Sequence, residues 1–187
     1  MKTEKPTTKI IAGKYKGKIL ELPSLDVTRS SKARLKESLF NVLQFDIIDK
    51  IFIESFAGSG SIGLEAISRG AKRAYFVELD RNSYQILLKN CRAVDMEKCQ
   101  TVQGNTFVQT PLFIDFLKNS KDEIVLYVDP PFDYRDGMED IYEKSFTMIK
   151  NIDVDNIYMI IVEHVSSLEM PEILGRFSLN KTKKFGK

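Results

Sequence analysis

The chain has no tryptophan, one histidine and two cysteines among its 187 residues. His164, Cys91 and Cys99 are too few for a cysteine or histidine metal cluster, so no metal site is expected, and they imply no disulfide framework. Both cysteines read as space-filling residues of a reducing compartment. No apolar run approaches the roughly 20 residues that span a bilayer, and the N-terminal MKTEKPTTK lacks the apolar core of a secretory signal. The expected setting is the cytoplasm, away from membranes. The length suits one domain with a full core, or one domain with a small extension, and there is no internal repeat.

The net charge of +2 conceals a strong asymmetry. Residues 1–36 hold ten Lys/Arg against three Asp/Glu, residues 176–187 hold five basic residues and no acid, and the stretch between carries a net of −10. Charge separated in this way points to an anionic partner gripped by the ends, RNA or DNA before a membrane surface. The plainer alternative, a solvated lysine-rich tail, accounts for Lys2 and Lys5 better than for the arginines.

Lys9 to Leu22, KIIAGKYKGKILEL, reads as two short strands about a turn carrying Gly13 and Gly17, with Lys14, Lys16, Lys18 and Tyr15 at its tip. Ser31 is placed to cap a helix whose buried stripe would be Leu35, Leu39, Val42 and Leu43. Arg29, Lys32, Arg34 and Lys36 fall at its start, where positive charge opposes the helix dipole. Phosphate contact is the simplest reason for them.

From Ile51 apolar runs alternate with helical stretches, the pattern of a parallel sheet covered on both faces. Strands are expected at Ile51–Phe56, Ala74–Glu78, Cys99–Gln103, Ile124–Val128 and Ile157–Val162, with a sixth at Phe177–Lys183. Helices are expected at Ser61–Arg69, stopped by Gly70, and at Asn82–Ala93. Gly58, Gly60 and Gly63 form GxGxxG at the first strand-to-helix junction, and Glu78 lies eighteen residues past Gly60 at the end of AYFVE. Glycines there let a ligand touch the backbone, and a carboxylate at that place can hold both hydroxyls of a ribose. A nucleoside cofactor is the expectation.

Asp129-Pro130-Pro131-Phe132 follows a buried strand on the same edge. Two prolines fix the backbone and remove two amide donors, leaving acceptors beside a ring. That suits a planar base with an exocyclic NH₂, whose hydrogens Asp129 and the Pro130 carbonyl would accept while Phe132 stacks. A carboxylate fixed beside a nitrogen that turns positive stabilises the transition state more than the ground state. His164, after Glu163, reads as a structural histidine, because this chemistry needs acceptors and no activated nucleophile.

The order FAGSGSIGLEAISRGA, FVELD and VDPPF resembles S-adenosylmethionine-dependent amine methyltransferases of the class I Rossmann-like fold, an α/β architecture with a doubly wound, mostly parallel sheet. IIAGKYKGKILELP followed by TRSSKARLKESLFNVL narrows the resemblance to bacterial 16S rRNA guanine-N2 methyltransferases of the RsmD type. It covers nearly the whole chain. It implies an RNA-contacting hairpin and helix extension over residues 1–46 and a methyltransferase domain over 47–187, acting on 16S rRNA within or outside an assembling small subunit; a monomer is the plain default expectation.

Carried over, the resemblance puts Phe56, Ala57, Gly58, Ser59 and Gly60 around the methionine part of S-adenosylmethionine, with Glu54 near its amino group. Glu78 would bind the ribose with Leu79 beside it, and Asn105 and Thr106 would meet the adenine. Asp129, Pro130 and Phe132 would form the methyl-transfer site, with Asp129 also touching the cofactor. Lys14, Lys16, Lys18, Arg29, Arg34, Lys36 and Arg135 would touch RNA. Many relatives have Asp where this chain has Glu54, and relatives carry a seventh strand beyond the point where this sequence stops, at Lys187. Two other activities fit parts of the pattern, and a non-catalytic RNA-binding protein is a further reading of the basic ends. An adenine-N6 DNA methyltransferase shares the proline motif but usually needs a separate target-recognition region, and an NAD-dependent oxidoreductase would use the glycine turn and Glu78 but finds no hydride-transfer partner here.

Overall fold

The computed structural model describes residues 6–23, 29–131 and 140–184, with the side chains of 29–33 excepted. Phe132 and Arg135 lie outside the described residues.

A hairpin comes first, β1 (Thr7–Lys9) antiparallel to β2 (Ile19–Glu21), followed by helix α1 (Arg29–Val42). Five strands then form one parallel sheet: β3 (Ile51–Ser55), β4 (Arg73–Glu78), β5 (Cys99–Gln103), β6 (Ile124–Val128) and β7 (Ile157–Val162), in the spatial order β5-β4-β3-β6-β7. Helices α2 (Ser61–Ser68), α3 (Arg81–Val94), α4 (Thr106–Leu117) and α5 (Ile141–Lys150) make the crossovers. The parallel α/β sheet read from the sequence is the architecture found. The order reverses between β3 and β6, and ligands of open α/β sheets bind beyond the carboxyl ends of strands at such a point.

Alternation along β3 explains why its whole run is apolar. Phe52 faces a core with Phe40, Phe76 and Tyr127 on one side, and Ile51 and Ile53 face Tyr75, Ile114, Leu126 and Met148 on the other. A strand covered on both faces has no solvent side to mark with polar residues. α2 ends in a Schellman motif, in which Gly70 donates to the Ile67 carbonyl and Ala71 to the Ala66 carbonyl. Gly70 sits there at φ +109°, a conformation that suits glycine.

Several expectations are corrected. α1 starts at Arg29, so Ser31 lies inside the helix and does not cap it. Its buried face is Lys36, Phe40 and Leu43, whereas Val42 is exposed and Leu35 and Leu39 are half-buried. Lys36, expected on RNA, is buried: its ammonium donates to the Lys9 carbonyl (2.7 Å) and pairs with Glu65 (3.4 Å). Beyond β7, Phe177–Ser178 (β9) pairs only with Ile173–Leu174 (β8) in a two-residue antiparallel ladder, so the sixth strand expected over Phe177–Lys183 does not join the sheet. Phe177–Ser178 instead turns back on Ile173–Leu174 about Gly175 at φ +62°, so its ladder stays local. α4 and α5 were not delimited by the sequence. In α4, Pro111 interrupts the helix signal, and Val108, Leu112 and Phe116 are apolar on the exposed side as Ile114 and Leu117 are on the buried one, so no single stripe marks it.

The hairpin is fixed to the domain. Glu65, fully buried on α2, accepts the amides of Ile11 (2.8 Å) and Ala12 (3.0 Å) and the Arg69 Nε (2.8 Å). The Lys14 amide donates to the Ser68 carbonyl, the Tyr15 amide to Ser68 Oγ, and the Tyr15 hydroxyl to Asp95. A Cβ on Gly13 would sit 1.8 Å from the Ser68 carbonyl oxygen, so the tip reaches the helix end only as glycine. Tyr15, at the tip among the lysines, is engaged in this docking.

Candidate active site

Register along the sheet brings the candidate residues to one edge. Ser55 pairs with Val77 on one side and Val128 on the other, and Glu78 pairs with Gln103. The edge therefore reads, from β5 to β7, Asn105, Glu78, the turn Phe56–Gly60, Asp129 and Glu163. Residues far apart in sequence meet here because every strand points the same way.

The glycine turn is tight at each step. The Ala57 amide donates to the Val77 carbonyl (2.8 Å) and the Gly60 amide to the Ala57 carbonyl (2.7 Å). Phe56 adopts φ +63°, unusual for a bulky side chain, with its ring edge-on to Phe107 at 5.8 Å. Such strain costs of order 1–3 kcal/mol and gathers at functional sites. A Cβ on Gly60 would lie 2.4 Å from Leu87, and one on Gly63 would lie 2.4 Å from the Phe76 ring, so both are packing glycines. At Gly58, φ +55°, a Cβ would meet nothing within 4 Å. That opening is where a ligand can approach the backbone. Ser59 is buried, and its carbonyl accepts from Asn90, which also exchanges hydrogen bonds with Glu21. Asn90, missed in the sequence because it sits mid-helix, thus ties the hairpin to the turn.

Glu78 bends across that opening, accepting from the Gly58 amide (2.6 Å) and the Asp80 amide (2.7 Å). Partial burial holds its carboxyl above the ordinary carboxylate range, against those two amides. A carboxylate offers about four lone-pair sites, so it can still accept ribose hydroxyls. Leu79 is exposed beside it. Asn105 caps α4, its side-chain oxygen accepting from the Phe107 amide (2.9 Å), and Thr106 is buried in the first turn. Asn105 thus has a structural task at the start of α4.

Glu54 lies beneath the turn, nearly fully buried, and accepts from the Gly63 amide (2.8 Å). Desolvation raises its pKa from 4.5 to about 8, with the nearby Asp129 charge adding to the rise and the Gly63 bond opposing it. An acid whose folded pKa is raised contributes stability that is complete below its unfolded value and is lost as pH climbs through the folded one. Between about pH 4.5 and 8 the ligand-free protein should therefore lose stability, and Glu54→Gln, which cannot ionise, should flatten that slope by about 2 kcal/mol or more. Denaturant melts at stepped pH measure this; parallel slopes for parent and variant would rule out the buried proton.

At the far end, Asp129 and Pro131 are half-buried, Pro130 is buried, and the Glu163 amide donates to the Val128 carbonyl (2.9 Å). His164 Nδ1 lies 2.9 Å from the Val165 carbonyl, a local bond that fits the structural reading. On the basic surface, Lys14, Lys16, Lys18 and Arg34 are exposed. The side chain of Arg29 is outside the described residues. Among the described residues no group of three or more His, Cys, Asp or Glu is arranged to hold a metal ion, and no helix is long and apolar enough to cross a membrane.

The chain has counterparts among known proteins. The family model described as "Conserved hypothetical protein 95" matches residues 8–187. "Ribosomal RNA small subunit methyltransferase D" of Escherichia coli K12 is 31% identical over 180 residues, covering 95% of this chain and 85% of that protein. The protein of the same name from Haemophilus influenzae is 38% identical over 133 residues, covering 70% of this chain and 66% of its own length. The solved structure of the Escherichia coli protein yhhF superposes with a TM-score of 0.73 at 30% identity, covering 97% of this chain and 93% of that one.

Proposed function

This chain belongs to the family of conserved hypothetical protein 95, and on that footing we propose that it transfers a methyl group from S-adenosylmethionine to the exocyclic 2-amino group of a guanine in 16S rRNA. The observation that carries the reading is the meeting, at one sheet edge, of the opening over Gly58, the Glu78 carboxylate and Asp129-Pro130. Relatives named as ribosomal RNA small subunit methyltransferases support rRNA as the substrate.

Bound S-adenosylmethionine would supply an electrophilic methyl group, the electron pair of its carbon–sulfur bond returning to sulfur to leave S-adenosylhomocysteine, and the surplus proton of the methylated amine would pass to Asp129 or water. Glu78 would hold its ribose, Phe56 to Gly60 would cradle its methionine end above Glu54, and Asn105 and Thr106 would flank its adenine. Asp129 and the Pro130 carbonyl would accept the two hydrogens of the guanine amine, turning its lone pair toward the methyl group and facing the charge that grows on nitrogen. A base inside folded RNA must first leave its stack. Phe132 and Arg135 are proposed as the stacking ring and a strand contact. Residues 1–46 are proposed as the RNA-contacting extension, through Lys14, Lys16, Lys18, Arg29 and Arg34. Lys36 drops out of that set. A monomer in the cytoplasm, acting on rRNA or an assembling small subunit, completes the proposal.

Glu78→Ala should weaken S-adenosylmethionine binding by about 1.5–3 kcal/mol, the range for hydrogen bonds to charged groups. Isothermal calorimetry on the folded variant checks it; an unchanged affinity would remove Glu78 from the site. Reversing Lys14, Lys16 and Arg34 to Glu should flatten the salt dependence of rRNA binding, by roughly 0.7–0.9 in log-log slope for each phosphate no longer neutralised. An unchanged slope would mean a merely solvated face. For the activity itself, labelled methyl should pass from the cofactor into 16S rRNA, and failure to label rRNA in any assembly state would sink the proposal.

A further inference from the structure

We propose that Glu163 is a specificity-determining residue that reads the N1–H of the target guanine beside the amine held by Asp129. The inference rests on the proposed guanine-amine reaction and deepens it.

Three observations place Glu163 there. β6 and β7 are parallel neighbours with Val128 opposite Val162, so Asp129 and Glu163 leave the sheet side by side. The Glu163 amide donates to the Val128 carbonyl at 2.9 Å, which keeps the two chain segments paired one step past the strand ends. The Glu163 carboxylate accepts the hydroxyl of Tyr127, a residue almost wholly buried on β6 with its ring stacked on Phe52 at 6.0 Å between centroids. Burial, and then the charges of Asp129 and Glu163, hold the Tyr127 phenol well above its ordinary pKa, so it stays a donor. The hydroxyl of a buried tyrosine, carried on a strand paired on both sides, fixes the direction of the half-buried Glu163 carboxylate.

The chemistry of the base supplies the reason. Guanine presents adjacent N1–H and N2–H₂ donors on one edge, and two carboxylates on neighbouring strands present acceptors to both. The order along the sheet fits: cofactor turn on β3, Asp129 after β6 for the amine, Glu163 after β7 for the next donor. Adenine, or any base with an unprotonated N1, would set a lone pair against the Glu163 oxygen. A site built to receive a hydrogen rejects an analogue that lacks it far better than an apolar pocket rejects a shape. Asp129 alone would accept any exocyclic amine, so without Glu163 the proline motif does not distinguish guanine from adenine.

The test uses 2-aminopurine, which keeps the 2-amino group but has a bare N1. Once the position methylated by the parent is mapped, 16S rRNA is assembled by ligation around a synthetic segment carrying guanine or 2-aminopurine there. Single-turnover methyl transfer from labelled cofactor is then compared for the parent, Glu163→Gln and Tyr127→Phe. The parent should prefer guanine by about a hundredfold or more. Glu163→Gln, whose amide can turn a donor toward N1, should slow transfer to guanine and narrow the preference at least tenfold, and Tyr127→Phe should narrow it less. A merely structural Glu163 would slow both substrates equally. An unchanged ratio in Glu163→Gln therefore overturns the inference, and if that variant fails to bind cofactor, the ratio for Tyr127→Phe decides in its place. A parent that methylates neither substrate would instead overturn the proposed reaction.

Discussion

Asp129→Ala is expected to abolish methyl transfer while leaving the fold and most of the cofactor affinity intact. Asp129 follows a strand buried along its whole length and is itself half-buried, so its position is set by β6. The proposed role is electrostatic: a carboxylate fixed before the reaction meets a nitrogen that becomes positive during it, and the protein need not reorganise. Asn in its place keeps the shape and an acceptor oxygen but loses the charge. Removing one preorganised interaction of this kind typically costs about 10² to 10³ in rate, so Asp129→Asn should fall at least that far and Asp129→Ala further. Single-turnover rates at saturating cofactor and RNA separate the chemical step from binding. A near-parental rate in Asp129→Ala would reduce the proline motif to a turn.

Glu65→Ala should produce the largest loss of stability, about 3–5 kcal/mol, the usual result of removing one partner of a buried ion pair. Glu65 is fully buried and takes up two hairpin amides, the Arg69 guanidinium and the Lys36 ammonium. Without it, Lys36 keeps the Lys9 carbonyl as its hydrogen-bond acceptor among the described residues, in a site that already pushes its pKa down through desolvation, with Glu65 as the main opposing influence and Glu54 a lesser one. The Ile11 and Ala12 amides lose their acceptor as well. Urea melts of parent and variant measure the difference, and a loss under about 1 kcal/mol would mean that the hairpin does not depend on this anchor.

These two residues also mark what the sequence discloses. Asp129 was legible because a continuous apolar run ends directly in its motif, and strand polarity then dictates the edge on which it emerges. The glycine turn and Glu78 were legible for the same reason, although the bend of Glu78 onto the Gly58 amide was not. Lys36 was misread because positive charge near a helix start suggested phosphate contact, whereas its partner arrives 29 positions later on another helix. Glu163 carried no motif. Its relation to Asp129 exists only through the pairing of β6 with β7 and the reach of Tyr127 across it. α4 was hidden by apolar residues on both of its faces and a proline within it.

The central claim is that the edge formed by the glycine turn, Glu78 and Asp129 methylates a guanine amine in rRNA, and nucleoside analysis of the product tests it most directly. Purified protein is incubated with methyl-labelled S-adenosylmethionine and 16S rRNA, both naked and within small-subunit particles, and the RNA is digested and resolved by mass spectrometry. The account predicts label in N2-methylguanosine with the parent and none with Asp129→Ala. Label in a methylated adenosine, in a ribose methyl or at a ring nitrogen of guanine would contradict it.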